Sequence, residues 1–178
     1  WVLDLHARIK FMNSWLTLGT PDVFPLPALF FPQGFLTGVL QTHARKYLIS
    51  INSLKFTYKI VEPAAAGDEN TQKDHDGVFV SGLWMEGMRW ETDRGQIADP
   101  NPGEMFSLLP NMHFLPAAGV KKMPNTYVCP VYKISTRQGQ LSTTGISTNF
   151  VCAIDLPTSE HEDVWIMRGA ACLGNLDD

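Results

Sequence analysis

Hydrophobic positions at the start of the chain recur with the period of a helix. Trp1, Leu5, Ile9, Met12 and Leu16 follow one another at spacings of four, four, three and four, which places them on one stripe. Phe11, Trp15 and Leu18 widen that stripe. A helix this apolar needs a surface to pack on, so the stripe is a candidate docking face. Gly19 is a natural stop and Pro21 follows it. Pro21, Pro25, Pro27 and Pro32 then form a stiff link, and Pro32 suits the first turn of a second helix. That helix is predicted over 33–47, with Leu36, Val39 or Leu40, His43 and Tyr47 on its apolar face. Arg45 and Lys46 fall in its last turn, where cations complement the helix dipole.

Beyond residue 50 the period changes from 3.6 to 2. Leu54, Phe56, Tyr58 and Ile60 alternate with Lys55, Thr57 and Lys59, the pattern of a half-buried strand. Residues 62–77 are polar and without period, and predict a mobile surface loop. Further strands are expected at 78–84, 111–115, 126–133, 149–156 and 164–171, with a short piece at 88–91. Turn-rich stretches holding Pro100, Pro102, Pro116, Pro124 and Gly139 separate them. Strands joined by turns with no helical crossover argue for an antiparallel sheet. The expected fold is therefore α+β. A helical segment over 1–50 precedes an antiparallel, incomplete β-barrel of about six strands over 51–178.

Composition narrows the function. The chain has 178 residues, 44% of them hydrophobic, enough for a core without disulfides or metals. The net charge is −4 and no basic stripe is present, which argues against nucleic acid or an anionic membrane as partner. No apolar run approaches the ~20 residues of a membrane span. Cys129, Cys152 and Cys172 are far apart and lack metal-ligand spacing, so they read as reduced and mostly buried, in a cytosolic setting. The sequence does not open with Met and begins within the predicted helix; it reads as part of a longer polypeptide.

No catalytic constellation emerges. A phosphate-binding loop needs two glycines five apart followed by Lys and Ser/Thr. Gly82 and Gly87 have the spacing, but Met88 and Arg89 follow. A strand with a bulge at Gly87 is the better reading. Such a bulge would bring Glu86 and Arg89 to one face as a structural ion pair. The five histidines, His6, His43, His75, His113 and His161, show no ligand spacing. Asp74, His75, Asp76 and Gly77 lack the closing carboxylate of a calcium loop. Ser142, Thr143, Thr144, Ser147 and Thr148 cluster around Gly145, without a nucleophile elbow or a nearby histidine. No catalytic, cofactor or metal residue is therefore assigned. A free-standing ligand-binding β-barrel and a small hydrolase using the Ser/Thr cluster are the alternatives.

Four motifs carry a resemblance. They are residues 30–47, FFPQGFLTGVLQTHARKY; residues 82–90, GLWMEGMRW; and residues 165–169, WIMRG. The fourth is the run YVCPVYK at 127–133, continued by Arg137, Gly139 and LSTTGISTNFV at 141–151. In this order and spread over nearly the whole sequence, they resemble the C-terminal domain of axonemal dynein heavy chains. Ile146 stands where the family usually has His, the Phe24–Ala28 link is richer in proline, and the segment at 170–174 is less apolar.

The resemblance implies helices followed by an incomplete β-barrel lying against the AAA+ ring of the same heavy chain. It also implies a structural and regulatory role. ATP and Mg would be bound by that ring, and catalysis would belong to the parent microtubule-motor ATPase. Other dynein subunits and microtubules would be reached through that motor, in the cytoskeleton of a cilium or flagellum axoneme. The missing Lys and Ser/Thr after Gly87 yield the first prediction. Calorimetric titration of the domain with Mg-ATP is expected to show no binding, and micromolar affinity would contradict it.

Overall fold

A computed structural model describes residues 2–61, 76–121, 123–134, 137, 143 and 147–176. The helices are α1 (Val2–Leu18), α2 (Pro32–Tyr47) and α3 (Glu162–Met167). The strands are β1 (Val23–Pro25), β2 (Leu54–Ile60), β3 (Val78–Ser81), β4 (Leu83–Glu86), β5 (Arg89–Glu91), β6 (Gln96–Ala98), β7 (Phe106–Leu108), β8 (Met112–Ala118), β9 (Thr126–Tyr132), β10 (Phe150–Pro157) and β11 (Ala171–Gly174). They fall into two compact units. One holds α1, α2, β1, β2, β3 and β8; the other holds β4 to β7, β9 to β11 and α3. Helices α1 and α2 thus share a unit with four strands, and α3 belongs to the other.

In the first unit the sheet order is β1-β3-β8-β2. β2 and β8 run antiparallel from Leu54 opposite Ala118 to Ile60 opposite Met112. β3 also pairs antiparallel with β8, whereas β1 pairs parallel with β3, Val23 opposite Phe79. The alternation read in 54–60 is realised. Leu54 is buried, Lys55 and Lys59 are exposed, and Phe56 and Tyr58 lie 5.7 and 4.9 Å from the Phe114 ring. Phe114 is fully buried, worth roughly 3 kcal/mol of apolar transfer. Pro32 opens α2 at its first turn, where a missing N–H costs nothing. Leu48 ends the helix in the left-handed region at φ 53, and Ile49 N donates to the Ala44 carbonyl at 3.1 Å.

In the second unit the sheet order is β10-β9-β11-β4-β7, with β5 and β6 as a separate antiparallel ribbon. β9 and β10 form its long antiparallel hairpin. β11 lies between β9, its parallel neighbour through Cys172 opposite Val131, and β4, its antiparallel neighbour. The core is Leu83, Met85, Cys129, Val131, Ile154, Leu156, Ala171, Cys172 and Leu173, with Trp165 from α3.

The mixed α+β class holds, while the incomplete barrel of about six strands is not confirmed: the described strands make three sheets, one of four strands, one of five and one of two. Two other expectations need correction. Two strand pairs are parallel, so the sheets are not purely antiparallel. The strand expected at 164–171 is the helix α3, followed only at Ala171 by a strand. Its start was legible: His161 caps it by accepting the Asp163 N–H at 3.3 Å, and Glu162 and Asp163 fill the first turn. Gly169, at φ +66, then turns the backbone into β11. Of the loop read at 62–77, residues 62–75 lie outside the described residues.

Trp165 Nε1–H donates to Thr158 Oγ1 at 2.8 Å, with Thr158 itself 4% exposed. The same oxygen accepts the Glu160 N–H at 3.0 Å, so one hydroxyl closes the turn that leads into α3. Thr158→Val keeps the shape but leaves a buried indole N–H unpaired. It is expected to cost about 1–3 kcal/mol, read as a lower denaturation midpoint in urea at unchanged slope.

Candidate docking surface

α1 presents two different stripes. Arg8, Phe11 and Trp15, spaced by three and four, form the covered one. The Trp15 ring meets Phe24 edge-on at 5.0 Å, Phe24 lies 4.7 Å from Phe35 of α2, and Phe11 lies 6.4 Å from Phe24. Ring pairs of this kind add about 0.5–1.5 kcal/mol each beyond their buried area. Arg8 is 6% exposed, and a buried charge needs partners. It holds Asp4 one turn earlier through Nε at 2.7 Å and Nη2 at 3.2 Å, and Nη1 reaches the Leu29 carbonyl at 3.4 Å. Gly19, at φ +94, ends the helix and returns its N–H to the Trp15 carbonyl at 3.1 Å.

The stripe read from the sequence is the other one. Leu5 is 48% exposed, Ile9 46% and Leu16 84%, while Met12 is half-buried at the border with the aromatic stripe. Trp1 lies outside the described residues. Of the residues expected to widen the stripe, Phe11 and Trp15 carry the packing and Leu18 is exposed. The exposed row thus lies beside the packed aromatic stripe on the same helix.

Glu86 and Arg89 are not paired. Gly87, at φ +73, turns the backbone between them, Met88 is buried in the core, and the two residues end in different sheets. Arg89 Nη2 binds Glu91 at 3.2 Å instead. Glu86 is held by Arg137, with Nε at 3.1 Å from its Oε2 and Nη2 also bound. The same Nη2 donates to the Gly169 carbonyl. Arg137 lies 51 residues from Glu86 in sequence, so no local period points to the pair.

Of the hydroxyl cluster, the structure describes Thr143, Ser147 and Thr148. Ser147 Oγ accepts the Asn149 N–H at 3.2 Å and donates to the Arg137 carbonyl at 3.4 Å, satisfying its own turn. Thr143 is exposed, and Ser142 and Thr144 lie outside the described residues. Among the described residues no three His, Cys, Asp or Glu side chains are grouped to hold a metal, and no helix is long and apolar enough to cross a membrane. The cysteines are free thiols. Cys129 and Cys172 are buried with their sulfurs 3.6 Å apart, and burial pushes the Cys152 thiol up to about 12.

Residues 1–174 match the family described as the C-terminal domain of the dynein heavy chain. The protein belongs to that family. It is 41% identical over 179 residues to dynein axonemal heavy chain 1 of Mus musculus, covering 99% of this sequence and 4% of the relative. To human dynein axonemal heavy chain 6 it is 40% identical over 196 residues, covering 100% of this sequence and 5% of that one. Human dynein axonemal heavy chain 3 gives 40% over 179 residues, with 100% and 4% covered. The sequence thus spans only about one twentieth of the length of these relatives.

Three of the four motifs of this dynein domain meet in space. Glu86 comes from the segment at 82–90, Arg137 from the run at 127–151 and Gly169 from the segment at 165–169, and one guanidinium joins them. Tyr127 adds a second tie, donating its buried hydroxyl to the Ala170 carbonyl at 2.6 Å. Residues at the end of the 30–47 segment act in the other unit. Asp76, just before β3, accepts Lys46 Nζ at 2.7 Å and the Tyr47 hydroxyl, and its own carbonyl meets His113 Nε2 at 2.7 Å. The last turn of α2 is thereby tied to the start of β3.

Hydrogen bonds from Lys46 and then Tyr47 hold the Asp76 carboxyl below its ordinary value. A depressed carboxylate contributes stability that is present above the unfolded-state pKa and lost as the pH falls through the folded one. Asp76→Asn is therefore expected to lower the melting temperature at neutral pH, with the gap from the parent protein closing below about pH 4. A gap that stays constant down to about pH 2 would show that the ion pair contributes nothing.

Proposed function

We propose that this domain is a structural and regulatory end-piece of an axonemal dynein heavy chain, acting by docking on the AAA+ ring of the same polypeptide. The reading rests on one observation above all: α1 is packed on its aromatic side and leaves Leu5, Ile9 and Leu16 exposed beside it. Family membership supports it, because the relatives carry most of their length outside the region matched. ATP, Mg and the hydrolytic residues belong, in this proposal, to the ring. Microtubules and other dynein subunits are engaged through the parent motor, in the axoneme of a cilium or flagellum.

A docked domain biases a motor only if its contact differs between conformational states of the ring. The two ties described above suit that task. Arg137 and Asp76 each join the ends of several elements at one point within their own unit. The test compares the full heavy chain with one lacking this domain. ATP binding is expected to persist, while gliding velocity changes relative to the ATPase rate. If ATPase rate, gliding and processive movement are all unchanged, the domain is a passive cap.

A further inference from the structure

Of the 12 prolines in the sequence, Pro21 alone follows a serine or threonine. That residue, Thr20, stands in the short link between α1 and β1, and it is exposed together with Thr17, Leu18, Gly19 and Asp22. The backbone there is open: a Cβ built on Gly19 would meet nothing within 4 Å. A residue before proline is kept out of the helical region and in extended backbone, the form in which a peptide lies along another protein's cleft. The Thr20 hydroxyl has no hydrogen-bond partner among the described residues. Nearby hydroxyls are in use. Thr17 donates to the Asn13 and Ser14 carbonyls at 2.8 and 3.3 Å, and Thr37 and Thr42 donate back along α2 to Gln33 and Gly38. An exposed hydroxyl without a partner, on extended backbone with proline next, suits a protein kinase that selects proline after the acceptor. Proline brings no N–H that such a pocket would have to satisfy.

The surroundings of Thr20 say what a phosphate would do there. It follows Gly19, where α1 ends, and the helix dipole puts partial negative charge at that end. The last turn of α1 holds no basic residue to offset it, and Asp22 lies two residues on. Leu16 and Leu18, each 84% exposed, flank the same end. A phosphothreonine carries about −1.5 to −2 charges at pH 7. At a helix C-terminus, beside a carboxylate and next to apolar surface, that charge disrupts by repulsion and by the cost of desolvating it. We infer that Thr20 is a phosphorylation site for a proline-directed protein kinase, whose phosphate loosens the last turn of α1 and releases the exposed row from its docking surface. In the transfer, Thr20 Oγ1 attacks the γ-phosphorus of Mg-ATP held by the kinase. The new O–P bond forms as the bond to the β–γ bridging oxygen breaks, ADP leaves, and the hydroxyl proton passes to a carboxylate of the kinase. The site stands on Thr20 and Pro21 alone, whereas the release rests on the docking reading above.

The experiment treats the full-length heavy chain with a purified proline-directed kinase and Mg-ATP and maps phosphate by mass spectrometry. The expected result is phosphate on Thr20, lost in Thr20→Val and in Pro21→Ala. No phosphate on Thr20, or equal incorporation in Pro21→Ala, overturns the site. Gliding velocity is then read against ATPase rate for the treated parent, for treated Thr20→Val and for the heavy chain lacking this domain. Treated Thr20→Val carries every other phosphate, so a difference between the two treated motors belongs to Thr20. The treated parent is expected to shift in the direction of the truncated motor, and treated Thr20→Val is not. A truncated motor that is altered while the two treated motors glide alike keeps docking and overturns the release. An unaltered truncated motor removes docking and the release with it, while the mapped phosphate decides the site by itself.

Discussion

The packing of Phe11 and Trp15 against Phe24 and Phe35 decides what the helical part of this domain can do. A helix of this length is marginal alone in water and takes its stability from the face it buries. Here the buried face is the aromatic one, with Phe11 and Trp15 packed on Phe24 of the proline-rich link and Trp15 on Phe35 at the start of α2. Arg8 extends that face by neutralising Asp4 and reaching the Leu29 carbonyl. Once these contacts are made, the aliphatic row is rotated away from them. The exposed row is thus a consequence of the packing, since the same contacts that hold α1 in place leave Leu5, Ile9 and Leu16 uncovered.

A comparable dependence operates in the sheet that contains β11. This strand is short, yet it joins β9 to β4 and is the only bridge between the hairpin β9–β10 and the edge strand β7 among the described strands. Its approach is controlled from outside the sheet. Arg137 takes the Gly169 carbonyl, Tyr127 takes the Ala170 carbonyl, and Trp165 anchors α3 through Thr158. Each of these ties satisfies a polar group where the backbone turns from helix to strand, a place where carbonyls would otherwise be left without partners. Burial keeps the Tyr127 hydroxyl protonated and so able to donate.

The sequence alone specified whatever depends on neighbours a few residues apart. The two long helices, the stop at Gly19, the proline at the first turn of α2, the alternation in 54–60 and the turn at Gly87 all follow from local sterics and from period. The aliphatic row on α1 was legible for the same reason, and so was family membership, which rests on motifs in order. The helix at 162–167 was equally local; the capping residue and its acids were present, but the apolar run Val164, Trp165 and Ile166 reads as well for a strand when period alone is used.

Tertiary structure decided which of several chemically equal choices was taken. Both stripes of α1 are apolar, and only the shape of the surface beneath it selected the aromatic one. Glu86 had a nearby arginine at residue 89, yet the turn at Gly87 sent Arg89 into another sheet and left the carboxylate to Arg137, far along the sequence. Parallel pairing of β1 with β3 and of β9 with β11 depends on where the intervening polypeptide returns, which alternation along a strand does not encode. Side-chain period is set by bonds along the backbone and can be read from it; pairing partners are set by distances across the fold and exist only once the polypeptide has closed on itself.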